Sequence, residues 1–375
     1  MHNIRFIQTC LITLLLLIAA CTQQHQDGSQ TVRVNVDEDL PADSFISQYS
    51  FIQLDSVTSP MVSQVRDIRL LDSLIFILDD AGRIFTFSSE GRHLATLDSL
   101  GMGSGQYATA DAFDITKAGI YVLSRPQKRI MQYSFDGHLT RICPVHDYYL
   151  GFRVQADSMV VLASGNCNNR KANFIAMEMS TQKFKHEAEH FDRTESYTSD
   201  TYHPFVGQQG DTLLITNPFR TDIKMLAHGQ STPLCTFRFN TEEQMPANQQ
   251  EYTFEELAQM TKHKPVVHNI ALACATCDAR YTRYIGYEMF GEYGLSYLLT
   301  RIKADGSTQN MTIMNNTEPN FPYLSAPVCA SDGQLVSVMP AYMLLQTEKA
   351  YGLNQFTSAG LKPTDNPVIF LHRLR

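Results

Sequence analysis

The chain has no basic excess. Its 30 lysines and arginines are outnumbered by 38 aspartates and glutamates, a formal net charge of −8 at pH 7. A surface that acidic has no general attraction for phosphate backbones, which argues against nucleic acid as a partner. Long apolar runs are missing too, apart from one at the start. That run, Leu11 to Ala20, follows a single positive charge at Arg5 and is too short to span a bilayer as a permanent helix. No Gly-x-Ser-x-Gly elbow marks a hydrolase nucleophile. The Gly-rich run Gly101-Met-Gly-Ser-Gly-Gln-Tyr107 lacks the following Lys-Ser/Thr and helix that a phosphate-binding loop needs.

What stands at the N-terminus is an address. Residues 1–20 read as a targeting segment ending in Ile18-Ala-Ala-Cys21. That tetrapeptide resembles a bacterial lipobox, which implies that Cys21 is lipidated and begins the mature chain. An ordinary secretory signal is the alternative. Residues 21–44, rich in Gln, Asp, Ser and Asn, are expected to be a flexible tether. Only one acid lies in Thr22 to Asp27, where surface-exported lipoproteins often carry an acidic run. An outer-membrane lipoprotein facing the periplasm is therefore as consistent as one on the cell surface.

Beyond the tether a segment is duplicated. Arg83-Ile-Phe-Thr-Phe-Ser-Ser-Glu-Gly91 recurs as Arg129-Ile-Met-Gln-Tyr-Ser-Phe-Asp-Gly137, each copy preceded by a short apolar run. A period of about 46 residues with several strands per unit marks a β-propeller. The first unit reads Val65 to Leu70, Leu74 to Leu78, Ile84 to Phe87 and Leu94 to Leu97, with turns at Asp79 to Gly82 and Glu90-Gly91. The second reads Ala112 to Ile115, Ile120 to Leu123, Ile130 to Tyr133 and Leu139 to Cys143.

Later units are weaker. They are carried by Val160 to Leu162 with Phe174 to Met177, Asp211 to Ile215 with Ile223 to Leu226, Arg280 to Tyr287 with Leu295 to Arg301, and Gln334 to Val338. Helical patterns over 251–262 and Tyr342 to Ala350 interrupt them. An open ring would expose strand edges. Pro367 to Leu374 and Tyr49 to Leu54 are expected to meet in the last blade and close it. The expected fold is all-β, a six-bladed propeller of four-stranded antiparallel blades over 45–375.

The lipobox at Cys21, Tyr49 to Leu54, Gly101 to Tyr107 and Asn366-Pro-Val-Ile-Phe370 together resemble the six-bladed propeller lipoproteins of Bacteroides-type bacteria, related to NHL-repeat propellers. Members of that family usually carry Gly-x-Gly-Pro-Gly-Glu-Tyr. Here Ser104 and Gln106 replace the Pro and Glu. The resemblance implies six blades and export, and no catalytic residues.

Two groups of residues are candidates for chemistry. Cys274-Ala-Thr-Cys277, with His263 and His268 upstream, offers four N/S ligands that could hold zinc. A local disulfide, free thiols or a redox pair are the other readings, although the βαβ context of thioredoxins is missing. The remaining cysteines, Cys143, Cys167, Cys235 and Cys329, are scattered and give no pairing.

The second group follows from topology. Loops joining second to third strands, and those joining blades, gather on one face of a propeller. Asp79, Asp80, Gln106, Tyr107, Arg125 and Arg220 fall there. Arginine can grip carboxylate or sulfate with a planar fork, and Tyr can stack on sugar or peptide. The competing reading is that these are simply polar turn residues. Asp114 and Asp211 could serve a calcium-dependent lactonase-type site, or could satisfy loop amides. His203, beside Pro204, reads as a solvated loop residue.

The function expected from all this is a lipid-anchored envelope module that binds a protein or glycan partner without catalysis, touching the membrane through its anchor only. The rival is a metal-dependent hydrolase or lactonase with its site at the channel mouth. A structural scaffold is the third possibility.

Overall fold

The computed structural model describes residues 30–56, 60–155, 158–191, 203–217, 220–240, 266–275, 283–291, 294–313 and 321–375. Blade one is built from Val65–Leu71, Leu74–Asp79, Ile84–Ser88 and His93–Leu97, each strand antiparallel to the next. The duplicated segment gives blade two the same order, Ala112–Thr116, Gly119–Ser124, Arg129–Tyr133 and Leu139–Pro144. Blades three, four and five start from inner strands Gly151–Gln155, Phe205–Gln209 and Val266–Ala275.

Blade six joins both ends of the chain. Its order is Pro327–Ser331, Gln334–Met339, Val368–Leu374 and then Ile46–Gln53 on the outside. Phe51 pairs with Phe370 and Ile52 with Ile369 in that last register. The chain is thus a six-bladed propeller of four-stranded sheets, closed by its N- and C-terminal strands.

Burial explains why the strands read as they do. The second strand of each blade is sandwiched between neighbours, so Ile75 to Asp79 are all buried. One apolar cluster fills each of the six gaps between blades. Between blades one and two it holds Phe76, Ile84, Tyr107, Phe113 and Tyr133, and between six and one Ile68, Phe87, Val336 and Ile369. At ~25 cal/mol per Å² of apolar surface, these gaps carry the stability of the ring. The inner strands contribute one face to the gaps and turn the other toward the axis.

The glycine of the first duplicated turn has a specific reason. Gly91 has φ +85°, and a Cβ there would lie 2.2 Å from the Gln53 carbonyl oxygen. Only glycine lets blade one approach the closing strand so closely, and the Asp55 amide donates to Gly91 O at 2.8 Å.

One difference from the sequence reading concerns an element. The tether expected over 21–44 contains a strand, Gln30–Val34, which lies parallel to Gln230–Phe239 and covers the outer edge of blade four. Its alternation Thr31-Val-Arg-Val34 buries Val32 and Val34 and exposes the residues between. The described fold therefore starts at residue 30, ahead of 45. The helix expected at Tyr342 to Ala350 is Ala341–Tyr351, capped by Gly352 at φ +67°. It packs Leu344 against Phe356, Val368 and Phe370 of blade six. The helical pattern of 251–262 lies outside the described residues.

Candidate functional site

The inner strands run side by side around a central channel, and their third residues point into it. In blades one, two, three, four and six these are Asp67, Asp114, Arg153, Gly207 and Cys329, all lining the same cavity. Period-2 alternation places the next inward residue two positions on, which in blade one is Arg69.

Two cavities meet at this level. One, of about 380 Å³, opens among the starts of the inner strands, with Gln64, Asp111, Leu150 and Pro204 on its walls. The other, of about 280 Å³, lies beyond it toward the strand ends, against Leu70, Gln208, Ala271 and Ser331. Asp67, Arg69, Arg153, His203 and Phe205 belong to both and form a waist.

The waist is charged but not evenly paired. Arg69 donates through Nη1 to Asp67 Oδ1 at 2.5 Å and to Ile68 O at 2.8 Å. Its Nε lies 3.7 Å from Asp114 Oδ1 and has no hydrogen-bond acceptor, although buried. Asp114 Oδ2 accepts the Val154 amide at 2.7 Å, fastening blade two to blade three. Arg153 differs. Its one hydrogen bond is from Nη1 to Phe152 O at 3.0 Å, and its guanidinium stands 5.2 Å from the centre of the Phe205 ring. Among the described residues no carboxylate lies within ion-pair distance of it. Burial, followed by the neighbouring charge of Arg69, lowers its pKa to about 10 against the opposing pull of Asp114 and Asp67, so it is still a cation at neutral pH.

His203 also faces this space. Its ring keeps contact with the cavity while protein crowds it, and that crowding lowers its pKa. Asp67 opposes the fall, and Arg69 and Arg153 add to it. As the sequence reading has it, His203 is an exposed loop residue; it lies just ahead of Phe205–Gln209, and that position sets it on the cavity wall. Cys329, on the opposite wall, is pushed up to about 12 by burial.

At the wide mouth, Arg125 binds Asp111 through Nη2 at 2.7 Å and donates to the Tyr148 hydroxyl at 2.6 Å. Its guanidinium lies 5.5 Å from the centre of the Tyr148 ring, which is itself partly exposed. Arg66 donates to the carbonyls of Ala110 and Asp111. Arg66, Arg69, Arg125 and Arg153 together face Asp67, Asp111 and Asp114, leaving one positive charge in excess.

Of the six residues expected on the rim, the structure brings Arg125 to the cavity. Asp79 is fully buried, where it takes an ion pair from Arg83 at 2.6 Å and hydrogen bonds from Ser63 and the Arg83 amide. Tyr107 is fully buried as well, its hydroxyl shared between Gly82 O at 3.0 Å and Leu97 O at 3.2 Å, its ring edge-on to Tyr133. Both were expected to meet a ligand, and both instead hold the fold together. Their side chains turn in between the blades, while Asp80 and Gln106 of the same turns stay at the surface.

Gln106 is exposed, but its side chain folds back onto the glycines. Oε1 accepts the Gly103 amide at 2.9 Å, and a Cβ at Gly101 would lie 2.3 Å from it. The Gly-rich run is thus a latch between blades one and two. Asp80 is exposed beside Ser63, whose hydroxyl lowers its pKa. Arg220 is exposed in its loop, its amide donating to Asn217 O at 3.2 Å.

Asp211 is exposed at a turn, away from the waist, and its carbonyl accepts from Gln155. For the cysteine group, His263 and Cys277 lie outside the described residues. His268 sits on Val266–Ala275, where the pairing register shifts. Cys274, on the same strand, packs against the apolar cluster between blades five and six, and burial pushes its thiol up to about 12. Among the described residues, no three His, Cys, Asp or Glu side chains converge on a point that could hold a metal ion.

Arg69, Arg153, Asp67 and Tyr148 escaped the sequence reading. For Asp67 and Arg69 the available signal was a charge at the third or fifth place of Val65 to Leu70; Arg153 lies on Gly151–Gln155, a strand the sequence reading left out, and Tyr148 in the loop before it.

Fold and channel define the class: a six-bladed β-propeller with a charged, unevenly paired axial channel. A family model matches residues 30–373, and the chain belongs to that family, DUF4934, a domain of unknown function. Among curated proteins no relative matches. Two solved structures are similar. A Bacteroides fragilis protein inferred to be exported is 16% identical with a TM-score of 0.72, covering 92% of this chain and 100% of its own. A DUF4221 member from Bacteroides vulgatus is 10% identical with a TM-score of 0.53, covering 88% and 97%. At such identities the likeness speaks for the fold, and function must be argued from the site. Among the described residues, no helix is long and apolar enough to cross a membrane.

Proposed function

We propose that this chain is an exported, lipid-anchored module of the cell envelope that binds a protein or glycan partner at the wide channel mouth and performs no chemistry on it. The observation that carries this reading is the pairing of Arg125 with the exposed Tyr148 beside an open cavity of about 380 Å³. An aromatic face next to a fixed guanidinium is a recognition surface for planar or sugar-like groups. Asp80, Gln106 and Arg220, exposed on the blade-joining and second-to-third-strand loops, extend it. The lipobox-like Ile18 to Cys21 supports lipidation at Cys21 and an outer-membrane address, as does the resemblance to NHL-related propeller lipoproteins. The fold shared with an exported Bacteroides fragilis protein is consistent with export.

A metal-dependent hydrolase gains less support. It asks for carboxylates gathered on a cation, whereas Asp67 and Asp114 are turned toward Arg69. Crosslinked envelopes tested by affinity capture should yield one stoichiometric partner with the wild-type chain. The Arg125→Ala/Tyr148→Ala variant should lose it. Retention by the variant, or no partner for either chain, would refute binding at this mouth. Cys21→Ala should move the chain out of the membrane fraction.

A further inference from the structure

Inside the mouth, the waist of the channel holds a cation that the fold does not neutralise. Arg153 spends one donor on the carbonyl of its own neighbour and rests on the Phe205 ring, and the rest of its fork faces the cavity. Arg69 adds a buried Nε without an acceptor on the same wall. Withdrawing a charge from water without a partner is costly even for a half-buried group, and a structural arginine would be expected to have a carboxylate beside it. Here the carboxylates, Asp67 and Asp114, are both turned to Arg69.

We propose that the waist is an anion subsite, in which Arg153 and the Nε edge of Arg69 grip one singly charged oxyanion group, a carboxylate or a sulfate ester, carried on a small organic body that fills the wide mouth. Its charge follows from the two cavities taken together, whose described lining residues carry one positive charge in excess. A single negative group balances it, and a doubly charged phosphate monoester overshoots. Its shape follows from the planar guanidinium, which pairs with two oxygens at once. The body of the ligand then lies against Leu150, Pro204 and the Phe205 ring. The cavity, at about 380 Å³, is of the size that encloses small ligands. His203, exposed on the cavity wall, borders the site. This inference rests on the reading of the chain as a binding module and names the chemistry it selects.

The test is calorimetric titration of the purified full chain with glucuronate, glucose 6-sulfate, glucose 6-phosphate and uncharged glucose at about pH 7.5, where the phosphate monoester is a dianion. Saturable binding of glucuronate or the sulfate ester is expected, with glucose silent and the phosphate weaker. Which of the two monoanions binds tighter identifies the source of the charge. Arg153→Gln should weaken binding at least tenfold, and Arg153→Lys should restore part of it.

A second measurement separates a ligand site from a structural arginine. Without ligand, Arg153→Met should melt at the wild-type temperature or above, since it removes a half-buried charge that has no ion pair among the described residues. A marked fall in its melting temperature would overturn the proposal. So would equal binding by Arg153→Gln, binding of glucose as tight as that of the anions, or no binding by either monoanion. A stoichiometric envelope partner that still depends on Arg125 and Tyr148 would, in that case, leave the binding-module reading standing and remove only this subsite.

Discussion

His372 should make this propeller acid-sensitive through its closing strand. The ring lies on Val368–Leu374 and is 1% exposed, stacked on Phe370 and tilted against Tyr49. Nε2 lies 3.2 Å from the Ser337 hydroxyl, and Nδ1 is buried with no partner. Burial lowers its pKa from the ordinary 6.5 to about 4. In the folded chain the ring is therefore neutral where the unfolded chain would protonate it. Above pH 6.5 both states are neutral and nothing is lost. As pH falls from 6.5 toward 4 the unfolded state binds the proton and the folded state does not, so stability drops by ~1.4 kcal/mol per pH unit. The loss is about 2.5 kcal/mol by pH 4.5 and saturates near 3.4 kcal/mol below pH 4.

The variant that isolates this is His372→Phe with Ser337→Ala, which keeps an aromatic ring and leaves no widowed hydroxyl. Urea unfolding of both chains at pH 7 and pH 4.5, with coincident transitions by two probes, gives the four free energies required. Titrating carboxylates are common to both chains and cancel in the double difference. The variant should lose about 2.5 kcal/mol less than the wild type between the two pH values. A double difference under about 1 kcal/mol would refute the argument that burial holds this ring neutral.

Two further outcomes follow from packing. Deleting residues 367–375 removes Val368, Ile369 and Phe370, each fully buried, and leaves strand edges open on both sides of the gap. The chain should then show no cooperative melt, and an unchanged melting temperature would contradict ring closure by this strand. Tyr107→Phe should cost about 1–3 kcal/mol, because the carbonyls of Gly82 and Leu97 lose their shared donor in a buried place. The same variant should capture any envelope partner as the wild type does, since Tyr107 has no exposed surface. Loss of capture at unchanged stability would return Tyr107 to the binding surface.

How far the sequence revealed this molecule depends on what each residue answers to. The duplicated Arg83 to Gly91 and Arg129 to Gly137 segments gave two blades strand by strand because apolar runs and turn glycines obey local rules. The closing strand at Val368–Leu374 was legible as an apolar run with no partner nearby in the chain. Gln30–Val34 was not, because a five-residue alternation inside a polar stretch gains its meaning from Gln230–Phe239, some two hundred residues away along the chain, a pairing that no local pattern carries. The candidate site divides the same way. Face-level topology put Arg125 at the mouth, but it could not tell depth, so Asp79 and Tyr107 looked equivalent to it. Depth comes from the direction each side chain takes from its turn, and Asp79 and Tyr107 turn inward to partners between the blades while Asp80 and Gln106 beside them stay exposed.

The same division of labour shows where function can reside on this ring. Residues of the second and third strands are held by the apolar gaps: exchange Phe76, Ile84 or Val122 for a polar group and two blades lose their contact. Inward residues of the first strands are under no such demand, since the axis is wide enough for water and their backbones are already paired. A charge there can persist without serving the fold, provided it lies close enough to solvent or ligand. Asp67 and Asp114 pair with Arg69, and Asp114 fastens adjacent blades through the Val154 amide, so the place of these two carboxylates follows from stability, while Arg69 keeps its Nε without an acceptor. Arg153 occupies an equivalent position and has no such role. It is the group whose presence the fold leaves unexplained, and binding is the explanation its surroundings favour.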